Sequence, residues 1–280
     1  MSTTQDRFSA EVVVTADAAT VIDVLEARTG LPRQRIKHAM ACGAVWLATK
    51  GRKAVRVRRA TRPLAAGDTL HLHYDPAVLA ERPPEPELIE DAGVYSVWNK
   101  PSGMRSQGSK WGDHCTIMRW AEQHLDPQRN AFTVHRLDLP ASGLIVVAHS
   151  KAAAAHLSGQ FKKRNVAKRY RAMVTGDARA LVDGVTVASP IDGRAALSHV
   201  RCDVEASTPE RSVMDVTIET GRKHQIRRHL AELGFPIVGD RLYGGAGPSD
   251  PDLMLTSVYL AFDHPDSGER MRYKIPPVKT

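Results

Sequence analysis

The sequence has few of the residues that define several common classes of protein. Its three cysteines, Cys42, Cys115 and Cys202, lie far apart without a CxxC spacing, which argues against a disulfide framework or a cysteine-based zinc site. No window approaches the roughly 18 uninterrupted apolar residues of a membrane span. The first residues also lack the basic and apolar segments of a secretion signal. We therefore expect a cytoplasmic protein that does not contact membranes.

The motifs of nucleotide and metal sites are also missing. Glycines are frequent after Asp240, but neither G-x-x-x-x-G-K-[ST] nor G-x-G-x-x-G occurs, so a nucleotide cofactor has no docking motif. His224 and His229 lie five residues apart with no Glu between them, which is not the spacing of a zinc protease. Aromatic residues make up only 5% of the chain, so stacking of single-stranded nucleic acid is not the expected main binding mode. We expect neither a metal nor any other cofactor.

The balance of charge points to a polyanionic partner. The 280 residues include 39 Lys and Arg against 31 Asp and Glu, a formal net charge of +8. The excess is uneven, because eleven Lys or Arg residues and no acidic residue lie between Ala27 and Gly67. We call these eleven cations the basic patch. It favours contact with nucleic acid phosphates, although a solvated basic face would give the same pattern.

The basic patch coincides with the predicted elements of a small α/β domain. Apolar residues recur with helical period in two segments and alternate in two others. The second helix presents an apolar face and a basic face, and we expect the basic face to be free to bind. Gly30 and Gly43 are expected to end the two helices. The predicted helices lie over Ala18–Thr29 and between Pro32 and Gly43, and the predicted strands over Ala44–Leu47 and Thr69–Tyr74.

Two strings in this region, LPRQRIKHAMACGAVWL and PLAAGDTLHLHY, resemble the S4-type RNA-binding domain. The shared features are a basic helix, a strand that begins at GAV and a closing strand after GD. The resemblance implies an RNA-binding domain over residues 8–76, with Arg33, Arg35 and Lys37 as RNA-contacting side chains. One departure is the string Leu47-Ala48-Thr49, which stands where the family usually has V-N-G.

The rest of the chain predicts a second, larger domain. A proline-rich segment over residues 77–88 is typical of an extended, semi-rigid linker. In residues 89–280 strands outnumber helices, which favours an α+β domain built on a large mixed sheet. The predicted strands are Val94–Trp98, Gly143–Ala148, Arg169–Val174, Ser212–Glu219, Ser257–Phe262 and Arg272–Ile275, and the predicted helices are Thr116–Leu125, Lys151–Lys162 and His224–Leu233.

Two segments of this domain carry polar residues in positions suited to chemistry. In TVHRLDLPASGLIVVAHS, residues 133–150, a polar cluster precedes a buried strand, so Asp138 lies on a loop at a sheet edge. From the residues alone, Asp138 is better explained as a turn residue that bonds its own backbone. In KRYRAMVTG, residues 168–176, the two-residue alternation of a strand turns Tyr170 inward.

A third segment, TGRKHQIRRHLAELGFPIVGDRLYGG, begins at Thr220 and contains the last predicted helix. At about 100° per residue its apolar side chains form a narrow stripe, and Arg227 lies at the border between core and cleft. An arginine there can pair with a partly buried carboxylate, or it can simply cover apolar surface. Arg228 and His224 are predicted to project to the opposite side, toward phosphate or solvent.

The three segments occur in the order of the signature motifs of the RluA-type pseudouridine synthases, and the chain resembles that family from Leu88 to Thr280. The resemblance implies an RNA pseudouridine synthase, an intramolecular transferase whose fold has a large mixed, mainly antiparallel sheet. It also implies that Asp138 is the catalytic carboxylate and that Tyr170 and Arg227 complete the active site. One departure is Ala141, because the family usually has Thr before the Ser-Gly pair.

The implied reaction exchanges the bond between C1′ and N1 for one between C1′ and C5, so it requires no redox cofactor or metal. We expect Arg227 to pair with Asp138 and hold it ionised, and Tyr170 to pack against the uracil and transfer a proton. The target base must leave the RNA stack. Arg136 is the residue expected to support the flipped state, with loop bracing as the alternative, and Arg228 is expected to contact RNA.

The sequence therefore predicts a monomeric enzyme that isomerises specific uridines in structured RNA, with large-subunit ribosomal RNA as the favoured target. A synthase that acts on transfer RNA is one alternative. A non-catalytic RNA-binding or ribosome-assembly protein on the same fold is another, and the Ala141 departure supports it.

Overall fold

A computed structural model describes residues 6–15 and 19–276 of the chain. Contacts between residues divide them into two compact units. The first comprises the described residues up to Pro83 together with Gln107–Trp120, and the second comprises Pro84–Ser106 and the described residues from Ala121 onward. The boundaries predicted from the sequence for the RNA-binding domain, the linker and the catalytic domain, after residues 76 and 88, stay predictions. The last four residues of the predicted catalytic domain lie outside the described residues.

The first unit is a four-stranded antiparallel sheet with two main helices. The strands lie in the order β1-β4-β2-β3. The elements are β1 (Phe8–Val13), α1 (Val21–Thr29), α2 (Arg33–Ala41), β2 (Val45–Ala48), β3 (Val55–Arg56), β4 (Thr69–Tyr74) and α3 (Pro76–Ala80). Neither β1 nor the two-residue β3 was predicted from the sequence.

Local sequence explains where these helices begin and end. The side chain of Thr20 accepts a hydrogen bond from the amide of Asp23 and caps α1, while Gly30 ends it with a φ of 67°. Ala18, the predicted first residue of this helix, lies outside the described residues. The apolar side of α2, including Ile36 and Met40, is buried against the sheet. The two helices thus cover one sheet face, as their periodicity indicates.

The prediction of an extended linker after β4 is wrong for its first residues. The carboxylate of Asp75 accepts hydrogen bonds from the amides of Ala77 and Val78, and Pro76 occupies the first helical position of α3. These local interactions start a short helix that the composition of the segment conceals. Residues from Glu87 onward already form a strand of the second unit.

The carboxylate of Asp113 is one of the groups that join residues 107–120 to the rest of the first unit. Asp113 accepts hydrogen bonds from the guanidinium groups of Arg56 at 2.8 Å and Arg58 at 2.6 and 2.7 Å. Its backbone amide donates to the carbonyl of Cys42 at 2.9 Å. Two members of the basic patch are therefore neutralised by an acidic residue that lies more than 50 residues further along the chain.

The second unit is built on a ten-stranded sheet in the order β10-β11-β12-β9-β13-β8-β6-β5, with β14 beside β13 and β7 beside β8. All neighbouring strands are antiparallel except β8 and β13. This confirms the predicted α+β class with a large mixed, mainly antiparallel sheet. The strands are β5 (Glu87–Asp91), β6 (Tyr95–Lys100), β7 (Phe132–Thr133), β8 (Ser142–Ala148), β9 (Ala167–Thr175), β10 (Val185–Val187), β11 (Ser198–Asp203), β12 (Arg211–Ile218), β13 (Leu255–Asp263) and β14 (Arg270–Lys274).

Three helices accompany this sheet: α4 (Ile117–His124), α5 (Lys151–Lys163) and α6 (Gln225–Glu232). The buried residues Ala153 and Leu157 of α5 pack into a core with Leu144, Val146 and Phe262 of the central strands. The helix α4 begins in the residues assigned to the first unit and ends in the second. In the part of the chain that the structure describes, no helix has the length and apolarity needed to cross a membrane.

The parallel pair of β8 and β13 requires a glycine at the centre of the sheet. Ser142 and Gly143 pair with Thr256 and Ser257. A Cβ atom on Gly143 would lie 2.3 Å from the carbonyl oxygen of Ser257, and the glycine has a φ of 104°. Because only glycine fits this approach, the Ser-Gly of the first motif fixes where the preceding loop enters the sheet.

Candidate active site

The loop before β8 carries Asp138, whose side chain is 29% exposed. The amide of Ala141 donates to the carbonyl of Asp138 at 3.2 Å and closes a tight turn. On the other side of Asp138, the hydroxyl of Ser106 donates to the carbonyl of Leu137 and accepts from its amide, at 2.8 and 3.0 Å. The backbone on both sides of the carboxylate is therefore fixed.

Lys100 stabilises the same loop. This role was not predicted from the sequence. Lys100 ends β6, is fully buried, and its ammonium donates to the carbonyl oxygens of Ala141 at 2.6 Å and Met104 at 2.9 Å. Burial lowers the pKa of Lys100 to about 8, and the negative charge of Asp138 opposes that shift. Lys100 is thus still mainly protonated at neutral pH, when it can donate to both carbonyls.

His135 stabilises the loop at its other end. Its Nε2 atom accepts a hydrogen bond from the amide of Val146 at 3.0 Å, and its ring stacks on Phe161 at 4.4 Å between centroids. Burial lowers the pKa of His135 to about 3, so the ring is neutral. These contacts give His135 a role in stabilising the loop.

Arg227 lies between two carboxylates, and its closer partner is one that the sequence analysis missed. Its Nε and Nη2 atoms donate to the two oxygens of Asp240 at 2.8 and 2.6 Å, whereas its Nη1 atom lies 3.7 Å from Oδ2 of Asp138. The expected contact with Asp138 is present as the longer of the two. The arginine is 4% exposed and Asp240 is fully buried. The prediction that Arg227 lies between core and cleft is confirmed.

Asp240 links Arg227 to the turn that follows α6. Its Oδ1 atom also accepts from the amides of Leu242 and Tyr243, at 2.9 and 3.0 Å. Burial by itself disfavours the charged carboxylate, but the bonds from Arg227 and from the two amides outweigh it and lower the pKa of Asp240. The only signal in the sequence was an acidic residue within VGDRLYGG, 13 residues after Arg227.

The prediction that His224 projects away from the cleft is wrong. The helix α6 begins at Gln225, and His224 precedes it with a φ of 55°, in the left-handed region. The rule of 100° per residue does not apply outside the helix. The Nε2 atom of His224 consequently lies 3.9 Å from Oδ1 of Asp138.

A buried glutamine holds the loop that gives His224 this conformation. The Oε1 atom of Gln225 accepts from the hydroxyl of Thr220 at 2.7 Å and from the amide of Arg222 at 3.1 Å. Its Nε2 atom donates to the carbonyl of Leu197 at 2.9 Å. Gln225 therefore ties both ends of the turn before α6 to the edge of β11.

Tyr170 faces inward, as the alternation of β9 predicts, and is 9% exposed. It lies opposite Val216 of β12 and Ser257 of β13, near the middle of the sheet. Burial raises the pKa of the Tyr170 hydroxyl, and the nearby charge of Asp138 adds to this effect. The hydroxyl is therefore protonated throughout the physiological range.

Asp138, Tyr170 and Arg227 line one recess of about 100 Å³. The recess adjoins a cleft of about 690 Å³ that shares Asp138 and Arg227 and has a basic rim. The cationic side chains of this cleft are Arg136, Arg222, Lys223, Arg227 and Arg241. The exposed Arg136 thus lies next to the carboxylate, as predicted. Among the described residues, no group of three His, Cys, Asp or Glu side chains is arranged to hold a metal ion.

The remaining predicted RNA-binding residues lie outside this cleft. Arg228 donates to Asp192 at 2.9 Å and is 33% exposed. Arg33, on α2 of the first unit, forms ion pairs with Asp23 and Glu26 of α1, so the expectation of a wholly free basic face is wrong for Arg33. The acidic residues precede the basic patch in sequence, and only the packing of the two helices brings them to it.

Arg35 and Lys37 of α2 differ from Arg33. Both side chains are exposed, and neither forms an ion pair with any residue between 6 and 15 or between 19 and 276. Among the described residues, the part of the basic patch on α2 that is free of ion pairs thus consists of these two residues.

Comparisons with known proteins show which family the chain resembles. Residues 94–232 match the family described as RNA pseudouridylate synthase. The chain is 35% identical over 212 residues to the dual-specificity RNA pseudouridine synthase RluA of Escherichia coli strain K12. The aligned residues cover 69% of this chain and 95% of that protein. The chain is 34% identical over 220 residues to the ribosomal large subunit pseudouridine synthase D of Xanthomonas campestris, covering 68% of this chain and 65% of that protein.

A solved structure supports the same fold. The human RNA pseudouridylate synthase domain containing 4 superposes with a TM-score of 0.56 at 20% identity, covering 68% of this chain and 88% of that chain. The chain belongs to the RluA-type RNA pseudouridine synthase family, which confirms the resemblance drawn from its motifs.

The buried pair of Arg227 and Asp240 generates a prediction about stability. Replacing Asp240 by Asn removes the closer charged partner of a buried guanidinium and leaves only Asp138 at 3.7 Å, so we expect the free energy of unfolding to fall by roughly 3–5 kcal/mol. Denaturant unfolding monitored by circular dichroism would measure the loss. The matched control is Asp192→Asn, which removes the partner of the more exposed Arg228 and is expected to shift the unfolding midpoint little. Equal shifts for the two variants would show that the buried pair has no special role.

Proposed function

We propose that this protein isomerises uridine to pseudouridine in structured RNA, with large-subunit ribosomal RNA as the favoured target. The observation that carries the proposal is the convergence of Asp138, Tyr170 and Arg227 in one recess beside a basic cleft. Two bacterial relatives, one of them a ribosomal large subunit pseudouridine synthase, support the choice of substrate.

The reaction transfers a base within one nucleotide. The bond between C1′ of the ribose and N1 of the uracil breaks, the uracil turns, and C5 bonds to C1′. The proton on C5 leaves and N1 gains one, so composition and oxidation state do not change. The chain must therefore supply a carboxylate near the sugar, a means to hold the detached base and a group that can move a proton.

Asp138 is the proposed carboxylate, acting at C1′ as a nucleophile or at C2′ as a base. Its Oδ2 atom lies 3.7 Å from the Arg227 guanidinium, so the carboxylate faces a positive charge in a partly buried recess. Because Asp240 holds two nitrogens of that guanidinium, the third is directed toward Asp138. The remaining guanidinium nitrogen thus faces the carboxylate at 3.7 Å, which is longer than a hydrogen bond.

Tyr170 is the proposed contact for the uracil. Its buried ring offers an apolar surface to the base, and its hydroxyl is protonated at neutral pH because burial raises its pKa. A protonated hydroxyl beside Asp138 can donate to the developing charge or relay a proton.

The rim supports recognition of the RNA backbone. A uridine in folded RNA must leave its stack to enter the recess, at a cost of a few kcal/mol. Arg136, exposed beside Asp138, is the proposed residue that stacks in the gap or contacts a phosphate, and loop bracing is the alternative. Arg222, Lys223 and Arg241 add positive charge along the cleft, where phosphates of the flipped strand would be attracted.

The first unit is proposed to be an S4-like RNA-binding domain. Arg35 and Lys37 of its second helix are its proposed contacts, with smaller contributions from Arg33 and, in the second unit, Arg228, because both of these already have carboxylate partners. Monomeric state, the absence of a cofactor and a cytoplasmic location stay predictions of the same proposal.

The alternatives predict different products. A non-catalytic RNA-binding protein needs only the basic surfaces, yet this chain keeps all three proposed catalytic side chains in one recess. Ala141 is fully compatible with that recess, because its backbone, through both amide and carbonyl, makes the contacts that hold the loop. A synthase for transfer RNA would place pseudouridine in another substrate, which nucleoside mapping distinguishes.

Replacing Asp138 by Asn tests the proposed carboxylate. Asn keeps the shape but cannot act as a nucleophile or base, so we expect pseudouridine formation to stop while RNA binding stays near the wild-type level. Liquid chromatography of the nucleosides from digested ribosomal and transfer RNA, taken from cells with and without the gene, would show which RNA contains the product, because pseudouridine and uridine have equal masses but separate on a column. The matched control is Asp263→Asn, at the end of β13, which should restore the modification. Pseudouridine formation by the Asp138 variant at the wild-type rate would rule out the assignment.

Replacing Tyr170 by Phe separates packing from proton transfer. The ring remains, so we expect RNA affinity to be retained, while single-turnover rates fall by about 10²-fold or more if the hydroxyl moves a proton. Filter binding and tritium release from C5-labelled uridine would measure the two quantities. An unchanged rate would leave Tyr170 with a packing role alone.

The S4-like domain is tested by removing charge from α2. The double variant Arg35→Gln, Lys37→Gln should weaken RNA binding and reduce the slope of the logarithm of affinity against the logarithm of salt concentration, because up to two phosphate contacts are lost. Fluorescence anisotropy at several salt concentrations would give the slope. The control, Lys162→Gln on the exposed side of α5, is expected to leave the slope unchanged. Identical slopes for all three proteins would contradict the proposed role.

A further inference from the structure

His224 and Tyr243 form a pair beside the candidate catalytic carboxylate that the proposed reaction has not yet used. The Nδ1 atom of His224 lies 3.0 Å from the hydroxyl oxygen of Tyr243, and the two rings meet edge to face at 5.7 Å. The opposite ring nitrogen, Nε2, lies 3.9 Å from Oδ1 of Asp138. The imidazole thus bridges a phenol and a carboxylate.

The two oxygens of Asp138 face two different groups. Oδ2 lies 3.7 Å from Arg227, and Oδ1 lies 3.9 Å from His224. Tyr243 touches both of these groups, because its ring also lies 5.2 Å from the Arg227 guanidinium carbon. Its backbone amide bonds Asp240 at 3.0 Å, which fixes the turn that carries the ring.

The backbone of His224 is in a strained conformation, and this conformation places the imidazole beside Asp138. The left-handed region is unfavourable for a residue with a side chain, and His224 adopts it with a φ of 55°. The side chain does not offset this strain by capping α6, since it makes no capping hydrogen bond. Strain of this kind is typical of functional sites, and its effect is to direct the ring toward Asp138.

The surroundings of His224 select its protonation state and its tautomer. Burial lowers the pKa of His224, and Arg227 and Lys223 act in the same direction, while Asp138 and Asp240 oppose them. A neutral ring has one N–H group. An N–H on Nε2 faces the Asp138 carboxylate favourably, whereas a lone pair there would be repelled. The Nδ1 atom must then accept its hydrogen bond from the Tyr243 hydroxyl.

We propose that His224, oriented by Tyr243, is a positioning residue that holds Oδ1 of Asp138 in the geometry needed for reaction. This inference rests on the proposed role of Asp138. The distance of 3.9 Å is longer than a hydrogen bond, and catalytic contacts of this length often shorten when the substrate binds. Arg227 and His224 then fix the two oxygens independently, so the carboxylate has one orientation toward the sugar.

The test compares His224→Asn and Tyr243→Phe with the wild-type protein. Asn tolerates the left-handed backbone better than most residues, so the first variant removes the ring with little added strain. The second removes only the hydroxyl and keeps the ring beside Arg227. We expect kcat to fall by about 10–100-fold in His224→Asn, and by less in Tyr243→Phe, with KM for RNA unchanged. The control is His156→Asn, on the exposed side of α5.

Two further readouts exclude a merely structural role. In a double-mutant cycle, Tyr243→Phe should have no further effect on kcat once His224 is Asn, because it acts through the imidazole. Nitrogen-15 NMR of labelled histidine should show the Nε2–H tautomer for the signal that His224→Asn removes. In Tyr243→Phe that signal should shift, since Nδ1 loses its donor.

The outcomes separate this inference from the proposed function. Wild-type protein that forms pseudouridine, together with a normal kcat in both variants or an Nδ1–H tautomer, would overturn the role of His224 alone. Wild-type protein that forms no pseudouridine in any RNA would overturn the proposed function and this inference with it. Tyr243→Phe carries the test if His224→Asn does not fold.

Discussion

The buried ion pair between Arg227 and Asp240 is the interaction on which the site depends. Two charges removed from water cost several kcal/mol each unless their geometry compensates. Here the carboxylate receives two guanidinium nitrogens and two backbone amides, so its hydrogen-bonding capacity is filled. What remains of the arginine, one nitrogen, faces Asp138. A structural pair thus leaves a fixed positive charge at the edge of a recess, and that charge does not have to be organised when the substrate arrives.

The loop of Asp138 is also held by a buried charged group, but this group bonds to backbone carbonyls and not to another side chain. Lys100 is fully buried and bonds carbonyl oxygens on two segments, one of them at Ala141. Gly143 then enters the sheet at a point where a side chain would collide with Ser257. The reactive group is therefore on a loop, but the loop is fixed at both ends by contacts that do not involve the reactive group.

Sequence patterns predicted what depends on periodicity. The strand over Thr69–Tyr74 has the predicted bounds, α5 is one residue longer than predicted, and Tyr170 faces inward. His224 was predicted to point away from the cleft because it was counted as part of the helix. Its left-handed backbone ends the 100° spacing of side chains, and no pattern of residue types predicts that conformation. Asp240 was missed because its partner is brought to it only by the turn after α6. In both cases the deciding contact is tertiary, although the residues themselves lie within the most distinctive motif of the chain.

Asp113 has a consequence for how such a protein can be taken apart. It neutralises Arg56 and Arg58, yet it comes after Ser106, beyond a length of chain that already belongs to the second unit. A cut at Pro83 would leave two guanidinium groups on one fragment and their counter-charge on the other. Residues up to Pro83 are thus not a complete unit that a gene fusion could transfer from one synthase to another. A transplanted copy would need residues 107–120 from the recipient to match its own arginines.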